Sequence, residues 1–287
     1  MFSTSTTDTS CVARRGLLVG VLLALGMGCE EGTRPVADPG DASDVINVAD
    51  AAPLARLTPA DGKIKIMAIG DSITHDTCWR AALWDQLNQR FAGRFDFVGT
   101  LNSTYGCAPA GFDADNQAYS SSLVTEIVAG ITDTRICDPV CPTLYDLQQA
   151  FMATPTDVAL IHLGTNDVWN SRSAESIVSG YTQLVNALRV AHSNIVILVA
   201  QIIPMNVTDM TCPGCTCAGC PTRIAALNDR IVGWAAEQDT AKSPIRVVDQ
   251  YTSYDATADN RDGVHPNSVG SQKMADQWYE ALLPLFL

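Results

Sequence analysis

The chain has 287 residues, 47% of them hydrophobic, which suffices for one large core or two small ones. Its formal net charge is -13 and it has no long basic run. Nucleic acid and anionic membrane surfaces both require clustered Lys and Arg, so neither is expected as a partner.

Taken in order, Arg14-Arg15 precede an apolar stretch over residues 16 to 27, shorter than the roughly 20 residues of a membrane-spanning helix. It reads as an export signal covering residues 1 to 28. Leu25-Gly26-Met27-Gly28-Cys29 resembles a bacterial lipoprotein box, in which the cysteine becomes the lipidated N-terminus. The other reading is cleavage near Gly28 and free secretion. Residues 29 to 61 are rich in Ala, Asp, Pro and Gly with few large apolar groups. Such a composition buries too little surface to offset ordering entropy, so it predicts a flexible acidic tether.

From residue 62 onward, strand and helix patterns alternate. Residues 63 to 69 predict a buried strand that ends at Gly70 and delivers Asp71-Ser72-Ile73-Thr74 into a turn. Residues 79 to 91 predict a helix, and 95 to 99 a second strand. Short helices are expected over 123 to 129 and 144 to 152, the latter capped by Thr143. A third strand covers 157 to 163 and ends at Gly164-Thr165-Asn166-Asp167. A long amphipathic helix follows over 174 to 191. A fourth strand lies within 194 to 203, a helix within 222 to 237, a last strand over 245 to 248, and a terminal helix after Asn267 or Ser268. This alternation predicts one three-layer α/β/α domain over 62 to 287, with a parallel sheet of about five strands covered on both faces.

Ten cysteines are present. Cys11 leaves with the signal and Cys29 is the lipidation candidate. Cys78, Cys107, Cys137, Cys141, Cys212, Cys215, Cys217 and Cys220 remain, an even number that favours disulfides in an exported protein. The dense run from 212 to 220 also fits thiolate ligation of zinc or an iron–sulfur cluster. Outside the cell oxidation competes with metal capture, so disulfides are expected and no metal. Spacing does not choose among the pairings.

In open α/β sheets the crevice beyond the C-terminal strand ends is where ligands bind, which singles out Ser72. A serine hydroxyl attacks poorly at neutral pH without a base. Of the four histidines, His75 lines the serine turn, with a ligand or substrate role left open. His162 lies inside a strand as a core residue, and His192 ends a helix as a dipole partner. His265 belongs to Asp262-Gly263-Val264-His265-Pro266, a polar loop before the terminal helix. A tight turn can bring the Asp262 carboxylate to the Nδ1 side of His265, leaving Nε2 for the serine. Asn166 can supply an amide donor for an oxyanion, joined by the Ser72 N–H. Asp71 and Asp167 read as turn residues. Ser72, His265, Asp262 and Asn166 thus predict acyl transfer without a cofactor.

Gly70-Asp71-Ser72, Gly164-x-Asn166-Asp167 and Asp262-x-x-His265 resemble blocks of the SGNH (GDSL) hydrolase superfamily, in the same order and on corresponding elements, over about residues 63 to 285. Val199 to Pro204, residues 223 to 228, and Asp262-Gly263-Val264-His265-Pro266-Asn267 further resemble the carbohydrate esterase family 3 branch, whose activity is deacetylation of xylan. The resemblance implies a flavodoxin-like sheet, Ser72 as nucleophile, His265 as base, Asp262 as orienting acid and Asn166 as oxyanion donor. It also implies a further backbone donor, from a glycine in a stretch that this branch writes Asp-x-x-Gly-Tyr-Ser-Gly. Here residues 115 to 121 correspond and Ser121 stands at the glycine position. Its N–H survives the change, while its side chain demands a different backbone angle or narrows the pocket. Gly99 and Gly106 are the other candidates for that donor.

The expected protein is an exported, monomeric serine esterase that removes small acyl groups, acetyl above all, from a polysaccharide such as xylan. A lysophospholipase or aryl esterase of the same superfamily is the alternative within enzymes. From outside the enzymes, Ser121 keeps open a lipid-anchored, non-catalytic carbohydrate-binding protein on the same fold.

Overall fold

A computed structural model describes residues 53–287 except 108, 133–136, 207 and 209–216. The export signal, Cys29, the tether up to residue 52, Cys212 and Cys215 lie outside the described residues. The chain begins β1 (Ile64–Gly70), α1 (Ser72–His75), α2 (Trp79–Phe91), β2 (Phe95–Phe97), β3 (Leu101–Asn102) and β4 (Asp115–Ala118). It continues α3 (Val124–Ala129), α4 (Leu144–Ala153), β5 (Val158–His162), α5 (Thr165–Trp169), α6 (Ala174–Ala191) and β6 (Val196–Gln201). It closes with α7 (Cys220–Gln238), β7 (Ile245–Asp249) and α8 (Ser268–Phe286).

The central strands are apolar because both of their faces are covered. Side chains alternate across a strand, and here alternate residues enter two separate cores. Ile64, Ile66 and Ala68 of β1 join Val158, Leu160, Val196 and Leu198 in a core closed by Trp79, Leu83 and Leu87 of α2 and Trp278 and Phe286 of α8. Met67 and Ile69 of β1 join Ala159, Ile161, Ile197 and Val199 on the opposite face. There they meet Phe151 of α4, Tyr181 and Leu184 of α6, and Ile224 and Trp234 of α7. The outcome is the expected three-layer α/β/α arrangement, with Trp79 and Trp278 in tilted contact at 5.8 Å between ring centroids.

The sheet has seven strands rather than about five, in the order β3-β4-β1-β5-β6-β7, with β2 also on β1. All pairings are parallel except β3 with β4. One edge of β1 serves two partners: Ile64, Lys65 and Ile66 pair with β2, and Ile69 and Gly70 pair with β4. β4 has no apolar run to betray it, since it reads Asp-Asn-Gln-Ala. Its polar side chains are satisfied locally: Asn116 Oδ1 accepts from Ala118 N at 3.0 Å, and Gln117 Oε1 from Thr100 N at 2.9 Å.

Residues 53 to 61 were expected in the tether, yet Leu54 and Leu57 pack against the core on the α2 and α8 face. Leu57 N–H donates to Leu285 O at 2.9 Å. The packed domain therefore starts before residue 62, because two leucines within a polar stretch find an apolar surface.

Thr143 caps α4 as expected and forms a full capping box, its hydroxyl accepting from Asp146 N while Asp146 Oδ2 accepts from Thr143 N. Thr143→Ala is expected to lower unfolding free energy by about 1 kcal/mol, read as a shift in the urea midpoint without a change in slope.

Candidate active site

Ser72 emerges where β1 ends, and Gly70 makes that exit possible. A Cβ built at Gly70 would lie 2.2 Å from Thr74 Oγ1 and 2.5 Å from His162 O, so only glycine lets α1 turn back against β5. Asp71 caps the turn: its Oδ1 accepts from Ile73 N at 3.0 Å, while Thr74 N and His75 N donate to Asp71 O. Ser72 is thereby the first residue of a short, rigid helix. Arg80, almost wholly buried, braces the other end of that helix. Its guanidinium donates to Thr74 O at 2.8 Å, to Ala114 O at 3.0 Å and to Ser103 O at 2.7 Å. Burial pulls the Arg80 pKa down to about 10, so it stays charged at neutral pH.

The loop between β7 and α8 brings His265 to the serine. Ser72 Oγ and His265 Nε2 are 2.9 Å apart, and His265 Nδ1 is 2.8 Å from Asp262 Oδ2. The three-residue spacing works because Asp262 Oδ1 accepts from Val264 N at 3.0 Å and from His265 N at 2.7 Å. This Asx-type turn folds the loop onto the aspartate's own side chain. Burial alone would raise the Asp262 carboxyl. The His265 backbone N–H, the imidazole and the Val264 N–H outweigh it and hold that carboxyl below its usual value. The loop is braced from outside, since Arg261 N–H donates to His265 O and Asn206 N–H to Gly263 O, each at 2.8 Å. Beneath it, Asp259 is buried and takes Lys273 Nζ at 2.7 Å.

Asn166 lies in α5, directly after β5, and its Nδ2 donates to Ser122 O at 3.1 Å. That contact sets it beside the turn that carries Ser121. In this turn Ser122 N–H donates to Tyr119 O at 3.2 Å, and Ser121 adopts a φ of 66°. A turn of this kind favours glycine at its third position, so the serine keeps the backbone angle that a glycine would have there. Ser121→Gly is expected to raise stability by about 0.5 to 1 kcal/mol in chemical denaturation. A loss of stability would instead assign the Ser121 hydroxyl a structural role.

The other candidates sort as follows. His162 is wholly buried in β5, its Nε2 receiving Ile203 N at 3.4 Å, and burial pulls its pKa down to about 4, so it is neutral in the core. His192 ends α6 with Nε2 2.8 Å from Phe151 O. His75 pairs with Asp76 and Ser120: its Nδ1 lies 2.5 Å from Asp76 Oδ1 and 3.3 Å from Ser120 Oγ. Asp167 does not serve its own turn. Its carboxylate accepts from Val124 N at 2.9 Å, Thr125 N at 3.0 Å and Thr125 Oγ1 at 2.6 Å, capping the otherwise uncapped start of α3. Exposed helix-start N–H groups need such an acceptor, and Leu123 at the cap position has none to offer. Gly99 and Gly106 lie outside the turn that contacts Asn166.

Two residues that the motifs do not mark also border the site. Arg261 reaches Asp76 O with Nη2 at 3.3 Å, and its Nε stands 3.6 Å from Asp262 Oδ2. Its guanidinium also covers the ring of Tyr105, 5.4 Å from the centroid. Sequence reasoning had one signal for Arg261, its place next to Asp262, and none for Tyr105.

Among the described residues six cysteines form bridges, Cys78–Cys107, Cys137–Cys141 and Cys217–Cys220. Disulfides persist in oxidising compartments, in keeping with export. Among the described residues no helix is long and apolar enough to cross a membrane.

Residues 68–273 match the GDSL-like lipase/acylhydrolase family. A multidomain esterase from Ruminococcus flavefaciens is 27% identical over 237 residues, which cover 79% of this chain and 29% of that protein. The chain thus spans about three tenths of the length of this relative. A carbohydrate esterase family 3 structure from Talaromyces cellulolyticus is similar with a TM-score of 0.64 and 33% identity, covering 78% of this chain and 98% of that one. An acetyl esterase mutant with acetate ion matches equally well, at a TM-score of 0.64, 32% identity, and 78% and 98% coverage. With the family matched from the end of β1 into α8, the chain belongs to the GDSL-like lipase/acylhydrolase family and is an ester hydrolase.

Proposed function

We propose that this ester hydrolase removes small acyl groups, acetyl above all, from a polysaccharide such as xylan, through an acyl-enzyme on Ser72. The single observation that carries the chemistry is the 2.9 Å approach of Ser72 Oγ to His265 Nε2, with Asp262 at 2.8 Å behind the imidazole. Ser72 Oγ attacks the ester carbonyl carbon as its proton passes to Nε2. Asp262, held as a carboxylate, fixes the Nδ1–H tautomer and stabilises the imidazolium. The tetrahedral oxyanion takes hydrogen bonds from Ser72 N–H, Ser121 N–H and Asn166 Nδ2. Collapse breaks the bond to the alcohol oxygen, which leaves with the proton from Nε2. Water then enters on the same side and attacks the acyl carbon as its proton passes to Nε2, and collapse breaks the bond to Ser72 Oγ, which takes that proton back from Nε2 as the acid leaves.

The acetyl preference and the sugar draw on the likeness to acetyl and carbohydrate esterases, each about a third identical over most of this chain. The disulfides among the described residues favour an exported enzyme, and Cys29 is its proposed lipid anchor, with residues 30 to 52 as tether.

The test is a panel of 4-nitrophenyl esters from two to eight acyl carbons, run beside acetylated xylan, with free acid measured. Acetate release from xylan and a rate that falls with acyl length are expected. A rate that climbs toward eight carbons would make the protein a lipid or aryl esterase. Absence of turnover, with no covalent labelling by an organophosphonate, would leave a carbohydrate-binding protein.

A further inference from the structure

The proton path divides the site into two sides. The leaving alcohol collects its proton from His265 Nε2, so the alcohol half of the ester must lie on the imidazole side of Ser72. The carbonyl oxygen and acyl group face the other way, toward Asn166 and the Ser121 turn. In a polysaccharide ester the alcohol half is the sugar ring itself. What stands on the imidazole side therefore meets the sugar.

Arg261 stands there. It is joined to the histidine through its N–H to His265 O, and it reaches over to Asp76 O. On its guanidinium rests Tyr105, whose side chain is left conspicuously in solvent: the residue is 52% exposed. A large aromatic at that exposure is ordinarily mobile, but Tyr105 is fixed from several directions. Its backbone is held at a φ of 43°, a conformation few side-chain-bearing residues adopt. Two residues on, Cys107 is bridged to Cys78, six residues past the nucleophile. Two residues before it, Ser103 O accepts from the buried Arg80, the residue that also braces α1. The chain on both flanks of Tyr105 is thus tied to the segment that follows the nucleophile's helix, with the Arg261 guanidinium against the phenol ring. A strained, cross-linked, exposed aromatic is a pre-organised contact surface, since its ordering entropy is already lost before a ligand arrives. Pyranose rings present flat C–H faces that pack on aromatic faces, and their hydroxyls pair with a planar guanidinium at the rim.

We propose that Tyr105, backed by Arg261 and anchored by the Cys78–Cys107 bridge, is the platform on which the ester-bearing sugar ring stacks. It is a specificity-determining subsite for the leaving alcohol, and it rests on the reading of the site as a polysaccharide esterase.

The experiment compares kcat/KM for acetylated xylan with kcat/KM for ethyl acetate, whose alcohol is too small to reach the ring. The full-length wild type, Tyr105→Ala and Tyr105→Phe are measured side by side. Tyr105→Ala is expected to lower the xylan-to-ethyl-acetate ratio about tenfold, mainly through KM on xylan, as loss of one aromatic face implies. Tyr105→Phe keeps the face and is expected to hold the ratio within about twofold. The ratio cancels any shared loss of folded protein. An unchanged ratio in Tyr105→Ala, or an equal fall in Tyr105→Phe, overturns the stacking platform while leaving the esterase reading intact. A wild type that cleaves ethyl acetate but not acetylated xylan overturns the polysaccharide reading, and the platform with it.

Discussion

Ser72→Ala is expected to lower kcat toward 4-nitrophenyl acetate by roughly 10⁴- to 10⁶-fold and to change stability by no more than about 1 kcal/mol. The catalytic loss is large because Ser72 Oγ is the group that faces His265 Nε2 at 2.9 Å. Without it the imidazole can only activate water, and the remaining rate comes from oxyanion donors and binding. The stability change is small because one half-exposed hydrogen bond is lost and the helix start is capped by Asp71 instead. Stopped-flow and steady-state assays on the two proteins, with thermal melts alongside, make the measurement. A variant that keeps more than a few per cent of wild-type kcat would place the nucleophile elsewhere.

Asp71→Asn is expected to flatten the pH dependence of stability. Asp71 is wholly buried, and that burial pushes its carboxyl up to about 7, against the pull of the Ile73 N–H and with a further push from Asp167. Asp71 Oδ2 and the Thr165 hydroxyl are both buried without a well-formed hydrogen bond, although the hydroxyl's dipole lies close enough to favour the anion. The folded pKa lies above the unfolded one, so the native state holds the proton more tightly. This contribution to stability is complete below about pH 4 and is lost as pH rises toward 7. Between pH 5 and pH 8 the wild type is therefore expected to lose on the order of 2 to 3 kcal/mol relative to Asp71→Asn, which cannot ionise and still offers an oxygen to Ile73 N. Urea titrations of both proteins at the two pH values read the difference directly. A constant gap between them would mean that Asp71 is ionised throughout.

The parts of the fold legible in the sequence are those whose cause is local. β1, β5 and β6 are read from continuous apolar runs because both faces are buried. α2 and α6 fall within the expected limits, and Thr143 marks the start of α4. β4 escapes because its stability comes from pairing with β1 and from amide side chains bonded to nearby backbone, neither of which leaves an apolar signal. α1 and α5 escape because four- and five-residue helices are shorter than any periodicity. The site divides in the same way. Asp262 and His265 are legible together because the turn linking them is made from their own residues. Asp167 was misread because its partners, Val124 and Thr125, lie more than forty positions away. Arg80, Arg261 and Tyr105 act through contacts between distant segments, as does the pairing of Cys78 with Cys107, and such contacts exist only once the sheet has formed.

The shared edge of β1 has a consequence for how this scaffold can change. Because β2 holds the first half of that edge and β4 the second, the chain leaves β1 opposite Ile66 and returns to it opposite Ile69, three residues further along. The base of this fork is tight, since a Cβ at Gly99 would meet Asn116 O at 2.0 Å. Between them the chain runs out through β3, which pairs with β4, and returns through a loop whose exposed tip carries Tyr105. It carries Tyr105 to the rim of the site, and among its described residues only Phe112, at its far end, packs against a hydrophobic core. An engineer could vary the side chains at its tip around Tyr105 while keeping β3, the Ser103 carbonyl that takes Arg80 and the Cys78–Cys107 bridge, and so change the alcohol side of the site without disturbing the nucleophile, its base or the sheet beneath them.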